Sequence, residues 1–211
     1  MVRIKVCGIT NREDALLSVD LGVDALGFIF APSPRGITPQ KAKKIIQVLP
    51  PFIERVGVFV NETSWKVKTV AKLCSLTCLQ FHGDESPHYC AQFNQKVIKS
   101  FSLKDKIPKD ISHYQVSAYL VDTFLKGKRG GTGKTCNWEI ARKIRNIGFS
   151  LILSGGLTPD NVGEAITKVK PYAVDVASGV EEKPGEKSEK KLKQFIQNVR
   201  GKDETLQITH F

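Results

Sequence analysis

The chain has 211 residues, 41% of them hydrophobic, and a formal net charge of +11 at neutral pH. That length suits one large core, up to an undivided α/β barrel. No apolar run reaches membrane-spanning length, and Met1-Val2-Arg3 leads straight into a short strand with no signal core behind it, so a cytoplasmic location is expected.

Ile4 to Cys7 reads as a first strand, closed by Gly8. A helix follows over Asn11–Leu21, with Asn11 as cap and Ala15, Leu16 and Val19 as its apolar face. Ala25–Phe30 is a second strand. A loop with Pro32, Pro34, Arg35 and Gly36 then leads to a helix opened by Thr38-Pro39 and running to about Leu49. Val56–Val60 is the third strand, and the next helix lies within Asn61–Leu73. Leu79–His82 is the fourth strand, and Ser86-Pro87 opens a short helix to Phe93. Val97–Phe101 is the fifth strand, followed by a weakly helical stretch over Ser102–Gln115. Val116–Val121 is the sixth strand, ending in Asp122. A glycine- and lysine-rich loop precedes a helix over Asn137–Asn146. Ser150–Leu153, a helix over Pro159–Val169, Tyr172–Val176, a loop to Ser188 and a helix to about Val199 complete the series.

The strands start near positions 4, 25, 56, 79, 97, 116, 150 and 172, with helices between them. They are apolar without clean alternation, as in a parallel sheet covered by helices. The expected fold is therefore α/β, a (β/α)8 TIM barrel with a reduced fifth helix. It forms a single domain over 1–200 with a polar C-terminal tail over 201–211. A doubly wound sheet is the runner-up.

In such a barrel the functional residues close the C-terminal ends of the strands. Those ends carry Cys7, Arg35, Asn61, Gln80 and His82, Lys99, Asp122, Ser154-Gly155-Gly156 and Ser178-Gly179. Cys7 fits a buried small hydrophobe. Facing the mouth, with a lowered pKa, it also fits a base or nucleophile. Asp122, poorly solvated at the end of an apolar strand, fits a general acid or a cap on the Gly130-Gly131 loop. Arg35 fits a bidentate carboxylate grip or an exposed arginine. His82 and Gln80 are candidate supporting residues, and His82 equally fits a structural histidine.

Gly155-Gly156 ends strand seven, and Thr158-Pro159 then opens a helix. Such a turn brings backbone N–H groups and a positive dipole end together, which suits a phosphate. Ser178-Gly179 closes strand eight beside it. Either turn alone reads as an ordinary strand-to-helix connection; the pair favours a phosphate monoester.

Lys and Arg are dispersed, and the tail interleaves Lys with acidic residues. The one compact basic patch is Lys126, Lys128, Arg129 and Lys134. The charge thus suits solubility and anionic small molecules rather than nucleic acid. A Walker A reading fails because Lys128 stands where Gly133-Lys134-Thr135 would need a glycine. The loop reads better as a flap over the mouth. The cysteines, Cys7, Cys74, Cys78, Cys90 and Cys136, are odd in number and imply no disulfide framework. Cys74 ends a helix and Cys78 starts a strand, which argues against a zinc pair, and no metal is expected.

These motifs occur together in one family. Lys5-Val6-Cys7-Gly8, Ala25-Leu26-Gly27-Phe28 with Arg35, Leu79-Gln80-Phe81-His82-Gly83, Asp122 with Gly130 to Thr135, Ser154-Gly155-Gly156 and Asp175 to Glu181 resemble the phosphoribosylanthranilate isomerase family in register. The resemblance implies a cofactor-free Amadori rearrangement of N-(5-phosphoribosyl)anthranilate in tryptophan synthesis. It implies Asp122 as general acid, Cys7 as general base and Arg35 as holder of the anthranilate carboxylate. It places the phosphate on Gly155, Gly156, Ser178 and Gly179. The implied partner is a phosphorylated small molecule, with no nucleic acid or membrane, and the chain is a monomer or homodimer. Ala177 and Gly36 depart from the family pattern, and Gly36 predicts a looser Arg35 loop. Indole-glycerol-phosphate synthase would need a lysine acid and paired glutamates, and a pentose-phosphate epimerase would need metal-binding histidines and aspartates. A basic binding module without turnover is the non-enzymatic alternative.

Overall fold

The computed structural model describes residues 1–102, 107, 111–122, 138–148 and 150–208. In chain order the elements are β1 (Arg3–Cys7), α1 (Arg12–Asp20), β2 (Ala25–Ile29), α2 (Pro39–Ile46), β3 (Glu54–Phe59), α3 (Ser64–Leu73), β4 (Cys78–Phe81), α4 (Pro87–Cys90) and β5 (Lys96–Ser102). Then come β6 (Ala118–Asp122), α5 (Trp138–Arg145), β7 (Leu151–Ser154), α6 (Pro159–Val169), β8 (Ala173–Val176), β9 (Glu181–Lys183), β10 (Glu186–Lys187) and α7 (Glu189–Ile208). Strands β1 to β8 pair in sequence order, all parallel, and β8 returns to β1 to close the barrel. Between β5 and β6 the described residues hold a single 3-10 turn, Ile111–His113, in keeping with the reduced fifth helix.

Helix starts follow local chemistry. The Asn11 side chain accepts from Asp14 N at 2.7 Å, and Thr38 and Ser86 cap α2 and α4 ahead of a proline. Asn161 accepts from Thr158 N at 2.8 Å at the start of α6. Buried Val162, Ala165, Ile166 and Val169 then give that helix its apolar stripe.

The barrel interior changes character along its axis. Residues two apart on a strand share a face. Cys78, Ile98, Ile152 and Ala173 belong to one apolar cluster with Ala25 packed on it. Two positions on, towards the C-terminal ends, stand Gln80, Ser100, Ser154, Asp175 and Gly27. The barrel is thus apolar low down and polar at its mouth. The out-of-phase residues, among them Ile4, Leu26, Phe28, Phe81 and Tyr119, join the main core with helix residues such as Ile166 and Phe195.

Three expectations change. The face of α1 turned to the core carries buried Asp14, Ala15 and Ser18 with Leu17 and Val19 partly buried against it, so Ala15 and Val19 hold and Leu17 takes the place expected for Leu16. Asp14 is drawn inward because its carboxylate accepts from Lys187 N at 2.8 Å. The stretch before the last helix is not plain loop but the β9–β10 hairpin. The last helix runs on to Ile208 instead of stopping near Val199.

Candidate active site

Cys7 closes β1 and is 6% exposed. Its register partner on β2 is Gly27, and Lys5, on the same face, pairs in register with Asp175. Lys5 Nζ donates to Asp175 Oδ1 at 2.8 Å, with both side chains buried. Burial pushes the Cys7 thiol above its ordinary value; Lys5 and Lys187 work against that rise and Asp175 adds to it. This corrects the expected lowered pKa: the thiol faces other side chains rather than open solvent.

Arg35 is brought over β1 by its own stem. Gly8 has φ of 78°, and a Cβ there would lie 2.7 Å from Arg35 Cδ. The guanidinium makes a forked pair with Glu181: Nε donates to both carboxylate oxygens at 2.9 Å and Nη2 donates to Oε2 at 2.7 Å. Glu181 also accepts from Lys187 Nζ at 2.9 Å, and the same ammonium donates to Cys7 O at 2.7 Å. Burial opposes the Glu181 charge, but the hydrogen bonds from Arg35 and Lys187 outweigh it and the carboxyl is held below its usual range. The Arg35 loop is not loose, contrary to expectation. Gly36 N donates to Ser33 O at 2.9 Å, Ile37 N donates to Ile29 O at 3.0 Å, and a Cβ on Gly36 would crowd the Ala31 and Ser33 carbonyls at 3.1 Å.

Asp122 closes β6 and is largely buried, with 28% of its side chain exposed. His82 Nε2 lies 3.9 Å from Asp122 Oδ2, Ser100 Oγ lies 3.4 Å from the same nitrogen, and Gln80 Nε2 lies 3.1 Å from His82 Nδ1. Gln80 and the Nδ1 side of the ring are hydrogen-bonded, and Nε2 faces Asp122 and Ser100. Burial lowers the His82 pKa against the pull of Asp122 and Asp175. Gln80 is buried, and among the described residues its Oε1 has no hydrogen-bond partner.

The two glycine turns meet. Gly155 and Gly156 have φ of 91° and 66°, and Asn161 Nδ2 donates to Gly156 O at 2.9 Å. A Cβ on Gly179 would overlap the Leu157 carbonyl oxygen, so only glycine lets the Ser178–Val180 turn pack against the start of α6. Gly156 and Ser178 are exposed at this junction. A helix N-terminus beside two close-packed turns suits an anion.

Two other strand-end candidates belong elsewhere. Lys99 Nζ is buried and donates to Glu85 Oε2 at 3.0 Å and Gly83 O at 2.6 Å. Asn61, at φ 49°, accepts from Asp84 N at 2.7 Å. Both build the loops after β3 and β4. Conversely, Lys5, Asp175, Glu181 and Lys187 join the site without having been assigned a role from sequence. The signal was there for two: Lys5 and Asp175 are charges set among apolar strand residues, in phase with the inward face. The basic patch and Walker-like loop, Lys126 to Thr135, and Cys136 lie outside the described residues. Cys74 ends α3 and Cys78 starts β4, and among the described residues no group of three or more His, Cys, Asp or Glu could hold a metal.

A closed parallel barrel with a thiol, a carboxylate and an arginine at its mouth has the layout of a (β/α)8-barrel enzyme. The sequence model of the N-(5'-phosphoribosyl)anthranilate isomerase family matches residues 4–198. The isomerase of Geobacter sulfurreducens is 51% identical over 203 residues, covering 95% of this chain and 100% of its own length. The crystal structure of phosphoribosyl anthranilate isomerase from Thermotoga maritima superposes with a TM-score of 0.89 at 44% identity, covering 95% of this chain and 100% of that one. A structure of such an isomerase in complex with reduced 1-(o-carboxyphenylamino)-1-deoxyribulose 5-phosphate gives 0.86 at 42% identity with the same coverage. The chain belongs to the phosphoribosylanthranilate isomerase family.

Proposed function

We propose that Cys7, Asp122 and Arg35 carry the family's reaction: N-(5-phosphoribosyl)anthranilate becomes 1-(2-carboxyphenylamino)-1-deoxyribulose 5-phosphate, in tryptophan synthesis. The observation that supports this most is the shared mouth, where β1 and β6 present a thiol and a carboxyl above the apolar layer. Protonated Asp122 gives its proton to the furanose ring oxygen as the C1–O bond breaks, which leaves an iminium. The Cys7 thiolate then removes the C2 proton, and the electron pair left behind neutralises the iminium to an enolamine. Tautomerisation gives the ketone.

Gly155, Gly156, Ser178 and Gly179 hold the phosphate. Arg35 takes the anthranilate carboxylate, sharing or exchanging its Glu181 partner. Gln80 and His82 support Asp122. The ligand is thus a phosphorylated small molecule, with neither nucleic acid nor membrane as partner, and the chain is a monomer or homodimer. Unpaired Cys7, Cys74, Cys78 and Cys90 fit a reducing cytoplasm. Among the described residues no helix is long and apolar enough to cross a membrane. The test is direct: phosphoribosylanthranilate is generated in situ and its fluorescence followed with purified protein. Loss of fluorescence at micromolar enzyme is expected, and its absence overturns the reading.

A further inference from the structure

We propose that Lys5 is a positioning residue for the reaction: its ammonium, held by Asp175 and set beside Cys7 in the gap left by Gly27, stabilises the Cys7 thiolate. This rests on the reading of Cys7 as the base. Lys5 and Cys7 are two apart on β1 and so share the inward face. Across from them β2 carries Gly27. A Cβ there would lie 2.8 Å from Cys7 Sγ and 3.1 Å from Lys5 Nζ, so the missing side chain is what lets sulfur and nitrogen approach one space.

Lys5 is an unusual residue for this place. A lysine inside a barrel gives up its hydration, and burial alone would discharge it. Here the pair with Asp175 at 2.8 Å outweighs burial, and the lysine pKa is held above its ordinary value. The charged groups around Cys7 come from several elements. Lys5 lies on its own strand, Asp175 on β8 and Lys187 on β10, and Arg35 reaches in from the loop after β2. Lys187 and Arg35 both share Glu181. Of these, Lys5 opposes the effect of burial on the thiol most strongly. A structural ion pair would serve as well with any thiol spacing; one placed on the same side of the glycine gap as the base acts on that base.

The test separates this role from the base reading. Iodoacetamide labelling of Cys7, followed by mass spectrometry of its peptide, reads the thiolate without turnover. In Lys5→Met, labelling at pH 8 is expected to slow about tenfold or more, the effect of one pKa unit, and the acid limb of kcat/KM to move upward. Lys5→Arg should restore part of both. Lys5→Gln removes the charge but keeps an amide donor for Asp175, and it decides should Lys5→Met not fold. Unchanged labelling and an unchanged acid limb in a folded Lys5 variant overturn the proposal. Activity retained in Cys7→Ala overturns the base reading instead, while the labelling comparison still reports on Lys5.

Discussion

Serine in place of Cys7 exchanges one atom and removes the acidity of the group, because a hydroxyl gives up its proton far less readily than a thiol. Asparagine in place of Asp122 keeps the shape and loses the proton. Each change is expected to lower kcat by about 10²- to 10⁴-fold, the usual contribution of a positioned acid or base, with the circular dichroism spectrum unchanged. Near-wild-type turnover in either variant would remove that residue from the mechanism. Both stand out as candidates in sequence, because each is a polar residue closing an apolar strand. Lys99 looked the same by that criterion and is not at the mouth. The difference is parity: Ile98 and Ser100 follow the inward face, so Lys99 between them points to the helix side and meets Glu85. The same parity picks out Lys5, in phase with Cys7, and Asp175, in phase with Ala173. Strand-end position finds candidates, and the two-residue period sorts them.

The β9–β10 hairpin shows what an element contributes when it has no apolar face. Its sequence, Glu181 to Lys187, is charged around a Pro184-Gly185 turn and carries no alternation, so nothing marks it as more than loop. It is fixed by distant partners: Thr10 Oγ1 donates to Gly185 O at 2.5 Å, and Lys187 N donates to Asp14 at 2.8 Å. Through Glu181 and Lys187 it then holds Arg35 and the Cys7 carbonyl. The depressed Glu181 pKa makes this clamp pH-dependent. A carboxyl that binds its proton less readily when folded contributes its full stability above the ordinary glutamate range. It loses that stability as pH falls through the depressed value. Glu181→Gln leaves Lys187 buried beside a neutral group, a break that typically costs about 3–5 kcal/mol. Urea unfolding at pH 7 should therefore separate wild type from variant clearly, and the gap should narrow from pH 5 to pH 3. A gap that stays constant across that range would show that the charge on Glu181 is not what matters.

At the scale of the whole barrel, the seam between β7 and β8 is where the proposed ligand and the fold meet. Strand β5 matches β6 over five register positions, Ile98 to Ser102, whereas β7 and β8 match over only two, Ile152↔Ala173 and Leu153↔Val174. The proposed phosphate site lies at the ends of these two strands, where Gly179 packs on the Leu157 carbonyl. An anion held by both turns ties β7 to β8 at their least paired point, so binding should stabilise the fold as well as anchor substrate. A ligand at about 100 times its Kd adds about 2.7 kcal/mol, which for a domain of this size is a rise in Tm of about 5–10 °C. Inorganic phosphate titrated to saturation is expected to give a shift of that order, with amide exchange slowing most in β7 and β8. Gly156→Asp provides the contrast. Aspartate tolerates the left-handed backbone at φ 66°, yet it sets a negative charge in the cradle. The phosphate-induced shift should disappear in that variant while its own Tm without phosphate stays close to wild type. An equal shift in both proteins would mean that phosphate acts as a general stabilising salt, and that the glycine turns do not hold it.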